Sequence, residues 1–284
     1  MSRRLILATF LVNAIGGVAT AADYAEPAAQ YQAPLFFGYV DIHAGHYDYD
    51  DGLDIFDEAD GLIGGAARLA VRMSPSFTLQ GDLWTNMEMS DVNGSYDYPG
   101  AALHVTWNPG DGRMLGVMGS IGEDNNRGRL ANIALEGVHE MDRWRFYGQA
   151  GYMFGLTGNV DDTNDHYWYG AANATYYQTD NLALSASLGA AKQSYDFIGG
   201  PLEVRYINWG LRAEIKHDTV PASAYFAYRG ISSKVSSAIG DGSAVDHRFV
   251  VGLRFFFNQS TLREINRGIG LVDMNPAYGD LFAY

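Results

Sequence analysis

A regular alternation of apolar and polar residues, interrupted by turns, recurs from about residue 35 to residue 257 of this chain. In the stretch 77–89, for example, every second residue is apolar, glycine or threonine, and the residues between them are polar or Trp. A period of two is that of a β-strand whose two faces meet different surroundings. Because hydrocarbon has no water to satisfy backbone amides, a chain crosses a membrane only as helices or as a closed sheet. The pattern therefore predicts an all-β fold, a single transmembrane antiparallel β-barrel.

The turns divide this region into about twelve strands. Five connections are tight and rich in turn-forming residues: 74–76, 109–112, 142–143, 179–181 and 217–220. Each follows an even-numbered strand. The connections after odd-numbered strands are long: 48–60, 91–99, 123–129, 156–165, 196–203 and 233–246. A soluble β-sandwich or propeller is the alternative, but neither requires this regular exchange of short and long connections.

The N-terminus has the pattern of a secretory signal peptide. Arg3 and Arg4 precede an apolar stretch from Leu5 to about Val18, and small residues follow as far as Ala21. We therefore expect residues 1–21 to be removed, leaving a short periplasmic linker over 22–34 and a barrel over 35–257. The remaining residues, 258–284, form a C-terminal tail that is expected to lie in the periplasm or inside the lumen.

Composition excludes several classes of function. The net charge of −14 becomes −16 without Arg3 and Arg4, which disfavours nucleic acid as a partner. The chain has no cysteine, so it has neither disulfides nor a thiolate metal site. Acidic residues crowd the first long connection, but the glycine of the segment 48–52 comes one position too early for an EF-hand. We predict a solvated acidic loop there, and neither a metal site nor a cofactor in the protein.

The last predicted strand ends in Gly252-Leu253-Arg254-Phe255-Phe256-Phe257. This segment resembles the terminal assembly signal of Gram-negative outer-membrane β-barrel proteins, and the region 35–257 is similar to their small porin-like branch. The resemblance implies contact with the barrel-assembly machinery during biogenesis and with outer-membrane lipid and lipopolysaccharide afterwards. Short turns are periplasmic in such barrels, so both termini are expected in the periplasm. The tail after Phe257 departs from the usual pattern, in which the signal ends the chain.

Because successive side chains of a strand point to opposite faces, the odd or even position of a residue along its strand (its parity) predicts whether it faces the lumen. The candidate lumen-lining residues carry charge and are Arg68, Arg72, Asp82, Glu88, Arg212, Glu214, Arg229, Arg248 and Arg254. Two interpretations remain open: an arginine ladder that passes anionic or polar solutes stepwise, or paired charges that only stiffen the interior. Pivoting about the turn 74–76 places Arg68 opposite Asp82, which favours pairing for these two. Small inward residues on the fifth and ninth strands, such as Ser120 and Ser185, are expected to leave room there.

The leading function is passive diffusion of ions or small hydrophilic solutes through a porin-like channel. A twelve-strand barrel has a backbone radius of about 12 Å, which is too narrow for folded protein. The alternative is a structural or surface-interaction barrel with a filled lumen. No catalytic residue is predicted, because none of the seven His has a Ser two residues away to serve as a nucleophile on the same strand face. The oligomeric state stays open at this point.

Overall fold

In the computed structural model, twelve strands form a closed antiparallel ring. The structure describes residues 36–50, 58–90, 94–124, 128–157, 166–197, 200–236, 241–257 and 260–268. Each strand of the ring pairs with its neighbours along the chain, and the last strand pairs with the first, which closes the barrel. A thirteenth, short strand pairs only with the third and lies outside the ring. The predicted fold class and strand number are confirmed.

The described elements are β1 (Phe36–Asp50), β2 (Glu58–Ser74), β3 (Phe77–Ser90), β4 (Gly94–Asp97), β5 (Gly100–Trp107), β6 (Arg113–Asp124), β7 (Gly128–Met141), β8 (Trp144–Thr157), β9 (His166–Thr179), β10 (Leu182–Phe197), β11 (Gly200–Lys216), β12 (Ala222–Ser236), β13 (Asp241–Phe256) and one helix, α1 (Leu262–Gly268). β4 is the strand outside the ring. We call the end of the barrel that carries the tight connections the turn end and the opposite end the long-loop end.

The turn end matches the sequence-based prediction closely. β7 and β8, for example, are joined by Asp142 and Arg143 alone, and Asp142 takes a positive φ of 51°. Asp tolerates this left-handed conformation better than most residues because its short polar side chain can hydrogen-bond locally. β2 and β3 likewise meet at the predicted turn, where Ser74 pairs with Phe77.

The long-loop end differs from the prediction, because strands occupy much of the predicted loops. β10 and β11 pair up to Phe197 and Gly200, and β12 and β13 up to Ser236 and Asp241. A strand as long as β11, with 17 residues, extends about 56 Å and rises about 43 Å at a tilt of about 40°. The apolar band of such a barrel is only about 25 Å tall. A strand of this length therefore extends beyond such a band, and its outer part does not need apolar residues on one face, so the alternation that marks a strand is weaker there.

Alternate side chains separate cleanly into an outer and an inner set. Apolar residues at the outward positions, such as Leu115, Val117, Val251 and Leu253, are exposed on the barrel surface. Aromatic rings gather at the turn end of this surface, where Trp144 stacks on Phe146 and contacts Tyr176. Amphipathic aromatic side chains favour the membrane interface, so these rings mark one edge of the lipid band.

The helix α1 covers part of the turn end of the lumen. Its Leu262 and Ile265 are buried in a cluster that also contains Phe37, Tyr177 and Phe256. This places the first part of the C-terminal tail against inward-facing side chains. Residues 269–284, like the predicted signal peptide and linker, lie outside the described residues.

Polar contacts hold α1 to two tight turns. The backbone N–H of Leu262 donates to Asn181 Oδ1 at 2.9 Å, and that of Arg263 donates to the carbonyl of Asp180 at 2.9 Å. Arg267 Nε donates to Glu140 at 2.7 Å. No helix among the described residues is both long and apolar enough to cross a membrane.

Candidate functional site

All nine candidate residues lie on the inward face of the barrel. Seven are buried, and Arg72 and Arg212 are partly buried; the buried ones are Arg68, Asp82, Glu88, Glu214, Arg229, Arg248 and Arg254. A charged group away from bulk water is stable only when partner charges and hydrogen bonds compensate its lost hydration. The arrangement of these partners decides how the lumen is divided.

The first network runs round the inner wall from β2 to β8. Arg68 binds Asp82 through two hydrogen bonds, Nε to Oδ1 at 2.8 Å and Nη2 to Oδ2 at 2.5 Å. His104 lies between two carboxylates, with Nε2 at 3.1 Å from Asp82 and Nδ1 at 2.8 Å from Glu136. Tyr147 then donates to the second oxygen of Glu136 at 2.9 Å. The predicted pairing of Arg68 with Asp82 is confirmed, but it is one part of a longer network.

The second network lies across the closing seam of the barrel, on β1, β11, β12 and β13. Arg254 donates from Nε to Asp41 at 3.1 Å and from Nη1 to Glu214 at 3.1 Å. Glu214 also accepts hydrogen bonds from Arg212 Nη2 at 2.9 Å and from the Ser223 hydroxyl at 2.6 Å. Because Arg68 and Arg254 both lie over the ring of Tyr39, that tyrosine connects the two networks.

A third contact crosses the lumen nearer the long-loop end. Arg248 on β13 donates to Glu88 on β3 at 2.6 Å, and these strands are separated by β1 and β2 in the sheet. The same guanidinium binds Asp246 at 2.6 Å and lies 5.2 Å from the ring centre of Tyr47. This bridge narrows the lumen beside β1 and β2.

Apolar packing fills the wall opposite the closing seam. Met118, Leu130, Met153 and Tyr167 are almost fully buried and belong to one cluster with Trp84 and other residues of β3 to β10. Hydrogen bonds also lock polar side chains into this wall, such as that from Asn132 Nδ2 to the Ser120 hydroxyl at 3.3 Å. The expectation that small residues such as Ser120 leave room on β6 is therefore wrong, because long side chains from neighbouring strands fill that space.

A cavity remains between the two networks in the turn half of the barrel. Its volume is about 80 Å³, measured as space for the centres of water molecules. One water needs about 10 to 15 Å³, so the cavity has space for several waters. Its lining comprises Tyr39, Arg68, Arg145, Asn173, Thr175, Ser185, Ser187, Gly210, Leu211, Arg212, Glu214, Ala227, Tyr228, Arg229, Arg254 and Asn266. Ser185 and Ser187 thus do leave room on β10, as the sequence predicts.

The lining of this cavity is strongly basic. Five arginines meet there with a single carboxylate, Glu214. Arg212 lies 3.7 Å from the ring centre of Tyr225, and its Nε has no hydrogen-bond partner among the described residues. Because protein surrounds much of the cavity, the field of these guanidinium groups is less screened there than at an exposed surface. The arrangement can attract and hold a small anion.

Sequence reasoning missed several residues of this site. Arg145 lines the cavity, and its inward position follows from the parity of β8, on which Trp144 and Phe146 face outward. Asp41, His104 and Glu136 are buried members of the networks, and they also lie at inward positions. Strand parity is sufficient to predict that these side chains point inward, but it does not identify their partners on other strands.

Four of the candidate arginines are held in ion pairs with buried carboxylates, as in the alternative of paired, stiffening charges; they are Arg68, Arg212, Arg248 and Arg254. Arg212 and Arg229 face the cavity together with Arg145. No group of three His, Asp or Glu side chains suited to a metal ion occurs in the described part of the chain. Most of the acidic first connection, 51–57, lies outside that part.

Comparison with known proteins shows likeness at the level of fold. No protein-family model and no curated protein sequence matches the chain. Among solved structures, an outer-membrane channel from Pseudomonas putida F1 aligns with a TM-score of 0.53 at 12% identity, covering 82% of this chain and 100% of that one. The translocator domain of the autotransporter NalP from Neisseria meningitidis aligns with a TM-score of 0.51 at 11% identity, covering 89% of this chain and 96% of that one.

Proposed function

We propose that this chain, which has the fold of the Gram-negative outer-membrane β-barrels, is a narrow channel for small hydrophilic solutes with a preference for anions. In this proposal the mature protein follows a cleaved signal peptide and reaches the membrane through the barrel-assembly machinery. Its long-loop end faces outside, and both termini lie in the periplasm. The barrel catalyses no reaction.

The observation that carries the proposal is the arginine-lined cavity between the two ion-pair networks. Five guanidinium groups face it against one carboxylate, in a chain with 33 acidic and 19 basic residues. Asp82 and Asp41, which lie outside the lining, pair with Arg68 and Arg254, and Glu214 binds both Arg254 and Arg212. The lining itself still presents more guanidinium groups than carboxylates to an entering anion. A row of such groups offers an anion successive contacts of similar strength, which lets it move on without being trapped.

The packed wall limits what can pass. Side chains of β3 to β10 fill that part of the lumen, so a path would run along the remaining cavity, which has space for several waters. Inorganic ions and small hydrophilic solutes are therefore the proposed cargo. Larger cargo would require the wall to repack, which is costly for a closely packed interior.

In this proposal, α1 acts as a gate at the turn end of the channel. Asn266 of the helix lines the cavity, and Leu262 is completely buried at the turn end. With the helix seated, ions reach the cavity from the turn end only past its buried apolar side chains. We therefore expect conduction to increase when the segment 258–284 is removed or displaced.

The alternative function is a filled barrel that acts as a scaffold for the surface loops. The buried ion pairs favour it, because Arg68, Arg248 and Arg254 stiffen the interior without offering a free path. An enzyme is less well supported by the histidines. The hydrogen bonds seen for His43, His104 and His247 run to carboxylates, an amide oxygen and a phenol, none of which is a nucleophile of the serine type. His217 Nδ1 lies 3.1 Å from the Thr219 hydroxyl, but both residues are in an exposed tight turn with no third group shown to orient the histidine.

Planar-bilayer recording tests the channel directly. Purified protein should give stepwise single-channel currents, and a KCl gradient should give a reversal potential shifted toward that of chloride. The double variant Arg212→Gln/Arg229→Gln should lose this anion preference. The control Arg113→Gln/Arg129→Gln removes the same charge from exposed positions and should keep it. If neither the full chain nor a chain ending at Phe257 gives current steps, the filled scaffold is the better account.

A further inference from the structure

Three basic side chains form a row on the outer surface of β10, β11 and β12. Lys192 is the cross-strand partner of Arg205, and Arg205 is the partner of Lys234. All three are exposed and share the face that carries the lipid-facing residues. Cross-strand partners lie about 5 Å apart, so the three cations span about 10 Å along the sheet.

The row keeps a net positive charge. Glu203 is the acidic group in contact with it, and its carboxylate binds both Lys192 and Arg205, with an oxygen 2.6 Å from Arg205 Nε. One carboxylate therefore compensates at most one of three cations.

The row lies at the edge of the lipid band. Toward the turn end on the same face of β10 and β11, the exposed apolar residues Leu188 and Ile207 follow the row. In the other direction along the sheet, the partner of Lys192 is Trp168, whose ring lies 4.7 Å from that of Tyr152. Exposed aromatic rings of this kind mark the membrane–water interface. The three cations therefore stand at the depth of the lipid headgroups.

Another charged pair at the same end of the barrel is different. Arg129 on β7 faces Glu123 on β6 across 3.8 Å, and both side chains are exposed on the outer surface. This pair has no net charge, so the basic row is a local feature of one side of the barrel.

We infer that Lys192, Arg205 and Lys234 form a binding site for the phosphate groups of an anionic glycolipid headgroup, the lipopolysaccharide of the outer leaflet. The inference rests on the proposed orientation, in which the long-loop end faces outside. Phosphate attracts Lys and Arg strongly, and acyl chains of the same lipid would lie along the apolar residues below the row. The ligand would thus satisfy the cations and cover the adjacent apolar surface together.

Binding of purified lipid A to refolded protein tests the site. Protein refolded from inclusion bodies carries no native lipid and can be placed in nanodiscs of neutral phosphatidylcholine. We expect diphosphoryl lipid A to bind more tightly than monophosphoryl lipid A. Each basic residue replaced by Gln should weaken binding about fivefold, and the triple variant Lys192→Gln/Arg205→Gln/Lys234→Gln by more than about fiftyfold.

Two further variants sharpen the result. Arg129→Gln removes an exposed cation at the same end of the barrel and should leave lipid A binding unchanged. Glu203→Gln removes the competing carboxylate and should tighten binding. Heat-modifiable migration on a detergent gel confirms that each variant is folded, and this is expected because all the altered side chains are at least partly exposed.

Three outcomes would overturn the inference. The first is equal binding of lipid A by the triple variant and the wild type, and the second is equal binding of lipid A and its dephosphorylated form by the wild type. The third is displacement of lipid A by millimolar inorganic phosphate, which would indicate a site for a soluble anion. None of these results bears on conductance, and protease access to the long loops in intact cells tests the orientation separately.

Discussion

Arg254 on the last strand of the barrel donates a hydrogen bond from Nε to Oδ2 of Asp41 on the first strand, at 3.1 Å. The two residues are also cross-strand partners, so an ion pair and the backbone ladder join the strands at the same point. Arg254 further binds Glu214 and lies 4.3 Å from the ring centre of Tyr39. The closing seam of the barrel is thus held by a buried polar network as well as by sheet pairing.

Removing the guanidinium from this seam should destabilise the folded barrel. In Arg254→Ala, the carboxylates of Asp41 and Glu214 stay buried without their shared cation, and loss of one partner of a buried pair typically costs about 3 to 5 kcal/mol. Urea unfolding in detergent micelles, followed by heat-modifiable migration, measures the free energy of unfolding. The control Arg113→Ala breaks a half-exposed pair with Asp111 and should cost less than about 1 kcal/mol. Equal losses for the two variants would contradict the prediction.

Gly252 is expected to tolerate no side chain. A Cβ at this position would lie 2.3 Å from Cζ of Tyr225, whose hydroxyl donates to Asp41 at 3.0 Å. Gly252→Ala should therefore push the tyrosine off the carboxylate and lower the free energy of unfolding by about 1 to 3 kcal/mol. Gly81→Ala is the matched control, because a Cβ there meets no atom within 4 Å. The prediction fails if both variants unfold at the same urea concentration.

His104 is expected to hold two carboxylates together. It is fully buried between Asp82 and Glu136, so His104→Leu leaves two acidic groups without the donor between them. The variant should lose about 3 to 5 kcal/mol of folding free energy. Adding Glu136→Gln removes one buried charge and should restore part of the loss, which a double-mutant cycle on unfolding would measure. Purely additive losses would show that the histidine does not couple these carboxylates.

Displacing α1 should raise the conductance. Leu262→Asp/Ile265→Asp places charges at two buried positions of the apolar cluster at the turn end, which disfavours the seated helix. The expected result in planar bilayers is a higher open probability than in the wild type. Arg129→Gln removes an exposed charge at the opposite end of the barrel from α1 and serves as the control. Unchanged currents in the first variant would show that the helix does not obstruct the path.

The contacts near the tight turns could be predicted from sequence because they are local. The distance along the chain from Arg68 to Asp82 is short, and the turn between them sets the register of β2 and β3. Strand parity likewise placed Arg212, Arg229 and Arg254 on the inward face. The alternation did not predict the outer parts of the strands, because a strand with water on both sides does not need apolar residues on one face.

The sequence by itself determined the class of fold, the number of strands in the ring and the face on which each side chain lies, because period-two alternation and turn residues act between near neighbours. Only the tertiary structure decided which inward groups meet. The pairs Arg254–Asp41 and Arg248–Glu88 join strands that are far apart in the chain. Their relative heights depend on the stagger with which the sheet closes, which no single strand encodes. The same closure decided that one wall is packed, that an arginine-lined cavity remains and that α1 covers its turn end.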